Sequence, residues 1–180
     1  MTYIAVEERL ILATASIVNG ANLSQLVPGI AGPQSAQVVG QIEETIEQVD
    51  APSLLLSIGG EREAITPGTL VTKNQAGDIF TSWFFERGII VALILPGSIK
   101  DPKLRGPYLL FRETLIGQFL KVNFLASIQQ GSTVEPFPFE AVPEVDDFRI
   151  EPYEILAPVN PKYQKMRSAI RVVYKCNETY

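Results

Sequence analysis

The sequence predicts an α+β fold in which an antiparallel β-sheet carries helices packed on one face. Three observations predict it. Apolar residues recur at helical spacing between Val6 and Val18 and again between Leu104 and Leu120. β-branched and aromatic residues crowd the stretch from Ile79 to Leu95. Near the end, Met166, Ser168, Ile170, Val172, Tyr174 and Cys176 alternate with Arg167, Ala169, Arg171, Val173 and Lys175, giving a strand with one largely apolar and one basic face. The segments do not alternate as strand and helix units, which favours an antiparallel over a parallel sheet.

Each element has its own justification. Val6, Leu10, Ile11, Leu12, Ala13, Ile17 and Val18 form the wide apolar side of a first helix, with Glu7 and Glu8 at the positive end of its dipole and Asn19-Gly20 closing it. Ser35 is an N-cap for a second helix bearing Val38, Val39, Ile42, Ile46 and Val49 on one side, stopped by Ala51-Pro52. Ser53–Ile58 reads as a short buried strand ended by Gly59-Gly60, followed by a turn-rich connection over residues 61–77. The stretch from Ile79 to Leu95 is either one long strand kinked at Gly88 or a tight hairpin. After Asp101-Pro102, Leu104, Tyr108, Phe111, Leu115, Ile116, Phe119 and Leu120 make the apolar face of a long helix, with Pro107 in its first turn. Residues 131–147 hold Pro136, Pro138 and Pro143 among five acids and read as an exposed acidic loop.

A chain of 180 residues suits one domain with a single core. Only 19% of it is charged while 46% is hydrophobic, against about 25% charge in an ordinary domain. That deficit predicts apolar surface covered by self-association. The net charge of −5 resides in the first 60 residues, where Glu7, Glu8, Glu43, Glu44, Glu47 and Asp50 face Arg9 alone. Sequence-independent binding to phosphate backbones is therefore not expected. The longest apolar run, Ile89 to Leu95, is far below the roughly 20 residues of a spanning helix. Glu7 and Glu8 stand where a secretory signal would carry bases, so a cytoplasmic, reducing origin is expected.

The absence of histidine and the single cysteine, Cys176, exclude disulfide frameworks, Cys/His zinc sites and imidazole-based catalysis. No glycine-rich phosphate loop follows a predicted strand. The neighbouring acids Glu43/Glu44 and Asp146/Asp147 are better read as solvated surface than as a metal or acid–base site. Trp83 with Phe80, Phe84 and Phe85 lacks interleaved basic residues, so packing accounts for it better than base stacking. The expectation is a protein without catalytic residues, cofactor or metal.

The order of elements resembles the tail terminator, or tail-completion, proteins of long-tailed bacteriophages, over about Val6 to Lys175. The pattern is an N-terminal helix, a proline-opened strand (Pro52-Ser53-Leu54-Leu55-Leu56), central strand material (Phe80–Phe85 and Ile89–Leu93), a helix with an arginine and aromatic end (Phe111–Leu120) and a closing alternating strand (Ser168–Tyr174). The chain departs from that pattern in an inserted helix at about 35–50 and in the acidic loop at about 131–147.

The resemblance implies a single tail-terminator-like domain spanning residues 1–180 and forming a hexameric homo-oligomeric ring. Such a ring caps the tail tube, stops its polymerisation and meets the head-side connector or neck protein. The partners implied are the chain itself, the tail-tube protein and that connector, with contact to a contractile sheath left open. DNA would pass through without specific binding, and no membrane is involved. The location implied is the virion tail or neck, assembled in the host cytoplasm. Candidate interface residues are Trp83, Phe84, Phe85, Arg167, Arg171 and Lys175; Glu43, Glu44 and Glu47 are the candidate acidic channel or partner surface. Another head–tail connector, neck or tail-tube protein, or a small α+β ligand-binding domain, are the alternatives.

Overall fold

A computed structural model describes residues 6–63, 70–73, 79–98, 100–121, 145–154 and 165–179. Its centre is β4 (Ile79–Pro96), one uninterrupted strand through Gly88. On one edge of β4 lies β6 (Lys165–Thr179), antiparallel, in register from Ser82↔Thr179 to Pro96↔Lys165. On the other edge lie β2 (Ser53–Glu63) and, further along, β3 (Leu70–Lys73), both antiparallel to β4. β1 (Ala36–Val38) adds to β2, and β5 (Val145–Tyr153) adds to β6. The six-stranded sheet has the order β1-β2-β4-β6-β5, with β3 beside β4. The fold is α+β, as expected, but β1 runs parallel to β2, so the sheet is mixed.

Strand faces decide the layers. Leu54, Leu56, Ile89, Val91, Leu93, Leu95, Ile170, Val172 and Tyr174 join one buried cluster with Leu10, Ile17 and Val18 of α1 (Val6–Asn19) and Phe111, Leu115 and Phe119 of α3 (Pro102–Lys121). The residues between them, Leu55, Ile90, Ala92 and Ile94, form a second cluster with Ile42 and Ile46 of the one-turn helix α2 (Ile42–Thr45). Both long helices lie on one face, as expected, and the one-turn α2 adds cover on the other. β4 is apolar at every position from Ile89 to Leu95 because both of its faces are covered there.

The predicted helix over Ser35–Val49 is replaced by β1, Gly40 and α2. The edge of β2 offers unpaired backbone groups that Ala36–Val38 take up, and Val38 and Val39 suit a strand at least as well as a helix. Gly59-Gly60 does not end β2. The register shifts there, between Ile58↔Ile89 and Glu61↔Arg87, as a β-bulge that carries the strand on to Glu63. The connection predicted over 61–77 therefore contains the end of β2 and all of β3. Residues 131–144 of the predicted acidic loop lie outside the described residues, and Val145–Asp147 begin β5.

Helix ends follow local chemistry. The Asp101 carboxylate accepts the Lys103 N–H at 2.9 Å, capping α3 ahead of Pro102 at its first position. Pro107 sits inside the helix, beyond the first turn predicted for it, so the Lys103 carbonyl lacks its usual i+4 donor. α1 ends at Asn19, and the left-handed residue that follows is Asn22 (φ 48°) rather than Gly20. Inside, the Thr14 hydroxyl donates to the Leu10 carbonyl at 2.7 Å and lies 2.7 Å from the Tyr174 hydroxyl. Thr14 has one proton and spends it on Leu10, so Tyr174 is the donor in the second bond.

Candidate functional site

Two surfaces carry the features that packing alone does not require. The first is the sheet face around α2. Arg167, the cross-strand neighbour of Ile94, pairs with Glu47. Lys165 donates to the Val49 carbonyl at 2.6 Å, placing a cation on the carbonyl end of the segment that follows α2. The Tyr153 hydroxyl donates to Glu43 at 2.8 Å, and this acceptor, helped by partial burial, raises the phenol pKa above its ordinary value. Of the three acids expected to form a channel or partner surface, Glu43 and Glu47 are therefore engaged within the molecule. Glu44 is exposed.

Further along the same face, Arg149 of β5 reaches across β6 to Glu86 of β4 in a two-pronged contact of 2.6 and 2.9 Å. Its Nε donates to Glu151 at 2.7 Å. These acceptors, Glu86 first, hold the Arg149 proton more tightly than usual. Val173, the cross-strand neighbour of both Arg149 and Gly88, is buried beneath this bridge. Arg171 lies against Gly88, where a Cβ would stand 2.4 Å from its Nε. That Nε is buried without a hydrogen-bond partner among the described residues.

The second surface is a groove of about 460 Å³ between α3 and the edge strand β5. Arg112, Ile116 and Leu120 line one wall; Phe148, Arg149, Ile150, Glu151 and Pro152 of β5, with Ile170 of β6, line the other. The sequence placed Ile116 and Leu120 on the core face of α3. Ile116 does pack, partly buried, against the core that Tyr108, Phe111, Leu115 and Phe119 fill, but Leu120 does not, and Arg105, Leu109, Arg112, Ile116 and Leu120 form a neighbouring stripe at spacings of four, three, four and four. Leu120 is 72% exposed, and Leu109 and Leu110 are also exposed. The Arg112 Nε is buried without a partner among the described residues. This second stripe is the signal in the sequence that could have shown the groove.

Of the predicted interface residues whose side chains are described, Arg167, Arg171 and Lys175 lie on one side of the sheet and Phe85 on the other. Arg167, Arg171 and Lys175 share the α2 side of β6, as the alternation predicts, with Arg167 held by Glu47 and Lys175 exposed beside Glu86 in the register. Phe85 is half-buried, with the Arg87 guanidinium 5.2 Å from its ring centre, and Arg87 pairs with Glu7 at the start of α1. Trp83 and Phe84 stand in β4 opposite Glu178 and Asn177; their side chains lie outside the described residues. The Cys176 thiol is buried on the α1–α3 side of β6, its Sγ 4.0 Å from the Tyr174 carbonyl.

Chemically, these surfaces offer charge and apolar contact. The Tyr153 phenol is shifted away from activation as a nucleophile. Among the described residues no three His, Cys, Asp or Glu side chains are placed to hold a metal ion. No helix among them is long and apolar enough to cross a membrane. No family model matches the chain, and comparison with curated proteins finds no match either.

Proposed function

We propose that this chain is a structural virion protein of the tail-terminator kind, a subunit of a homo-oligomeric ring that caps a tail tube and joins it to a head-side connector. The observation that carries this reading is the open α3–β5 groove, with Leu120 exposed at its rim and strand β5 at the edge of the sheet. A largely apolar groove beside the outermost strand of the described residues is a surface that another chain can cover. The described elements include, in this order, the helix α1, strand β2, long strand β4, helix α3 and closing strand β6, which supports the same reading. In it, the chain acts by occupying a position rather than by chemistry, and DNA passes the ring without specific contact in a virion tail or neck.

The test is assembly. Purified chain should form rings by negative-stain imaging, and, added to polymerising tail-tube protein, should bind tube ends and limit tube length. A chain that neither binds nor shortens tubes would remove the terminator role. A connector, neck or tube protein would share the ring and differ in its position in an imaged particle.

The groove also favours a second reading, because its volume falls in the range of about 300–1,000 Å³ typical of small-ligand sites. A small-molecule set that raised the melting temperature of the monomer would support a ligand-binding domain.

A further inference from the structure

We propose that the α3–β5 groove seats the acidic segment around α2 of a second copy of this chain, so that copies join head to tail through Arg105 and Arg112 on one side and Glu44 and Asp50 on the other. The proposal deepens the ring reading and rests on it in requiring more than one copy.

The groove side is a built surface. Ile116 and Leu120 supply apolar contact and Arg112 positive charge in the groove itself, and Leu109 and Arg105 continue the same flank of α3 beyond it. Arg112 is the informative residue, since its Nε is removed from water yet meets no acceptor among the described residues. A desolvated guanidinium nitrogen without an acceptor is unfavourable, and a carboxylate is the acceptor that best matches it.

The complementary surface lies on the opposite face of the same sheet. Four acids cluster in Glu43, Glu44, Glu47 and Asp50, without a base between them. Two are engaged: Glu43 by Tyr153 and Glu47 by Arg167. The carboxylates of Glu44 and Asp50 are exposed. Among the described residues, Glu44 and Asp50 thus stand exposed on this side, while in the groove Glu151 is taken up by Arg149 and the Arg112 Nε keeps no acceptor. Charge complementarity of this kind selects partner and register.

Because α3 and α2 cover opposite faces of the sheet, the contact joins two different patches. Such a heterologous contact produces a ring when the rotation between copies closes, and a filament when it does not. A two-fold dimer, which needs one self-complementary patch, does not follow from this arrangement.

The experiment is a charge swap. Arg105→Glu with Arg112→Glu makes the groove side acidic; Glu44→Lys with Asp50→Lys makes the α2 side basic. Each double variant alone should sediment as a monomer under conditions where the wild type assembles. An equimolar mixture should recover assembly, because each variant then offers the charge the other lacks. Leu120→Asp should also prevent assembly, and it leaves the fold undisturbed because the side chain is exposed. Far-UV circular dichroism and thermal midpoints check that every variant is folded.

A wild type that stays monomeric, variants that assemble unaided, or a mixture that stays monomeric would each overturn the proposal. The outcomes also separate it from the function above. Assembly indifferent to the charge swap removes this interface and leaves the terminator reading standing. Rings restored by mixing that fail to limit tube growth remove the terminator reading and leave the interface.

Discussion

At the scale of single residues, Tyr174 couples the core to pH. It is fully buried, and burial pushes its phenol well above the ordinary value of 10.0. The folded state therefore keeps a proton that the unfolded chain releases as pH passes about 10, so stability is intact below that pH and falls above it. Tyr174→Phe should lose roughly 1 kcal/mol at neutral pH, since Thr14 keeps its bond to Leu10. It should also flatten the alkaline fall. Urea midpoints between about pH 9 and 11 measure both effects, and an unchanged fall would show that other groups dominate. Gly32 is a second sensitive position, because a Cβ there would stand 2.2 Å from the Leu23 carbonyl oxygen and 2.7 Å from Phe111. Gly32→Ala should cost about 1–3 kcal/mol by overpacking, whereas Gly40→Ala, with open space around it, should leave the thermal midpoint almost unchanged.

At the scale of elements, α3 depends on its cap. Asp101→Ala removes the acceptor of the Lys103 N–H and should lower stability by about 1 kcal/mol, read from denaturant midpoints. Asp101→Asn should retain most of it. α3 also explains why a periodic pattern misled the sequence reading. Two apolar stripes run beside each other, so residues at spacings of three and four belong to both, and only packing separates the buried Leu115 and Phe119 from the exposed Leu120. β2 shows the converse case. Gly59-Gly60 resembles a strand end, but β4 continues past it, and the bulge lets β2 keep pairing as far as Glu63.

At the scale of the whole molecule, α2 and the segment after it are tied to the sheet by polar contacts as well as by Ile42 and Ile46. Arg167→Ala would leave Glu47 partly buried without its cation, and among the described residues Glu47 Oε2 already has no hydrogen-bond partner. The expected loss is about 1–3 kcal/mol, visible as a lower thermal midpoint. Combining it with Glu47→Gln should restore part of the loss, because the uncompensated charge is then removed. If the double variant is no more stable than Arg167→Ala, the pair contributes through something other than charge.

The sequence by itself determined the α+β class, the two long helices, the strand character of Ile79–Leu95 and the two-faced closing strand; that Ile79–Pro96 is one strand and not a hairpin was decided by pairing along its length. Each rests on a local period that repeats far enough to outweigh other conformations. It also contained more than was taken from it: the unbroken apolar run from Ile89 to Leu95 already demands cover on both faces. The tertiary structure alone decided that β1 pairs parallel to β2, that Glu43 and Glu47 turn inward to Tyr153 and Arg167, and that Arg112 and Leu120 flank an open groove. These outcomes depend on partners far away in the chain. Val38 suits a strand or a helix, and Glu47 suits solvent or an ion pair, until a distant strand edge or cation offers the better contact.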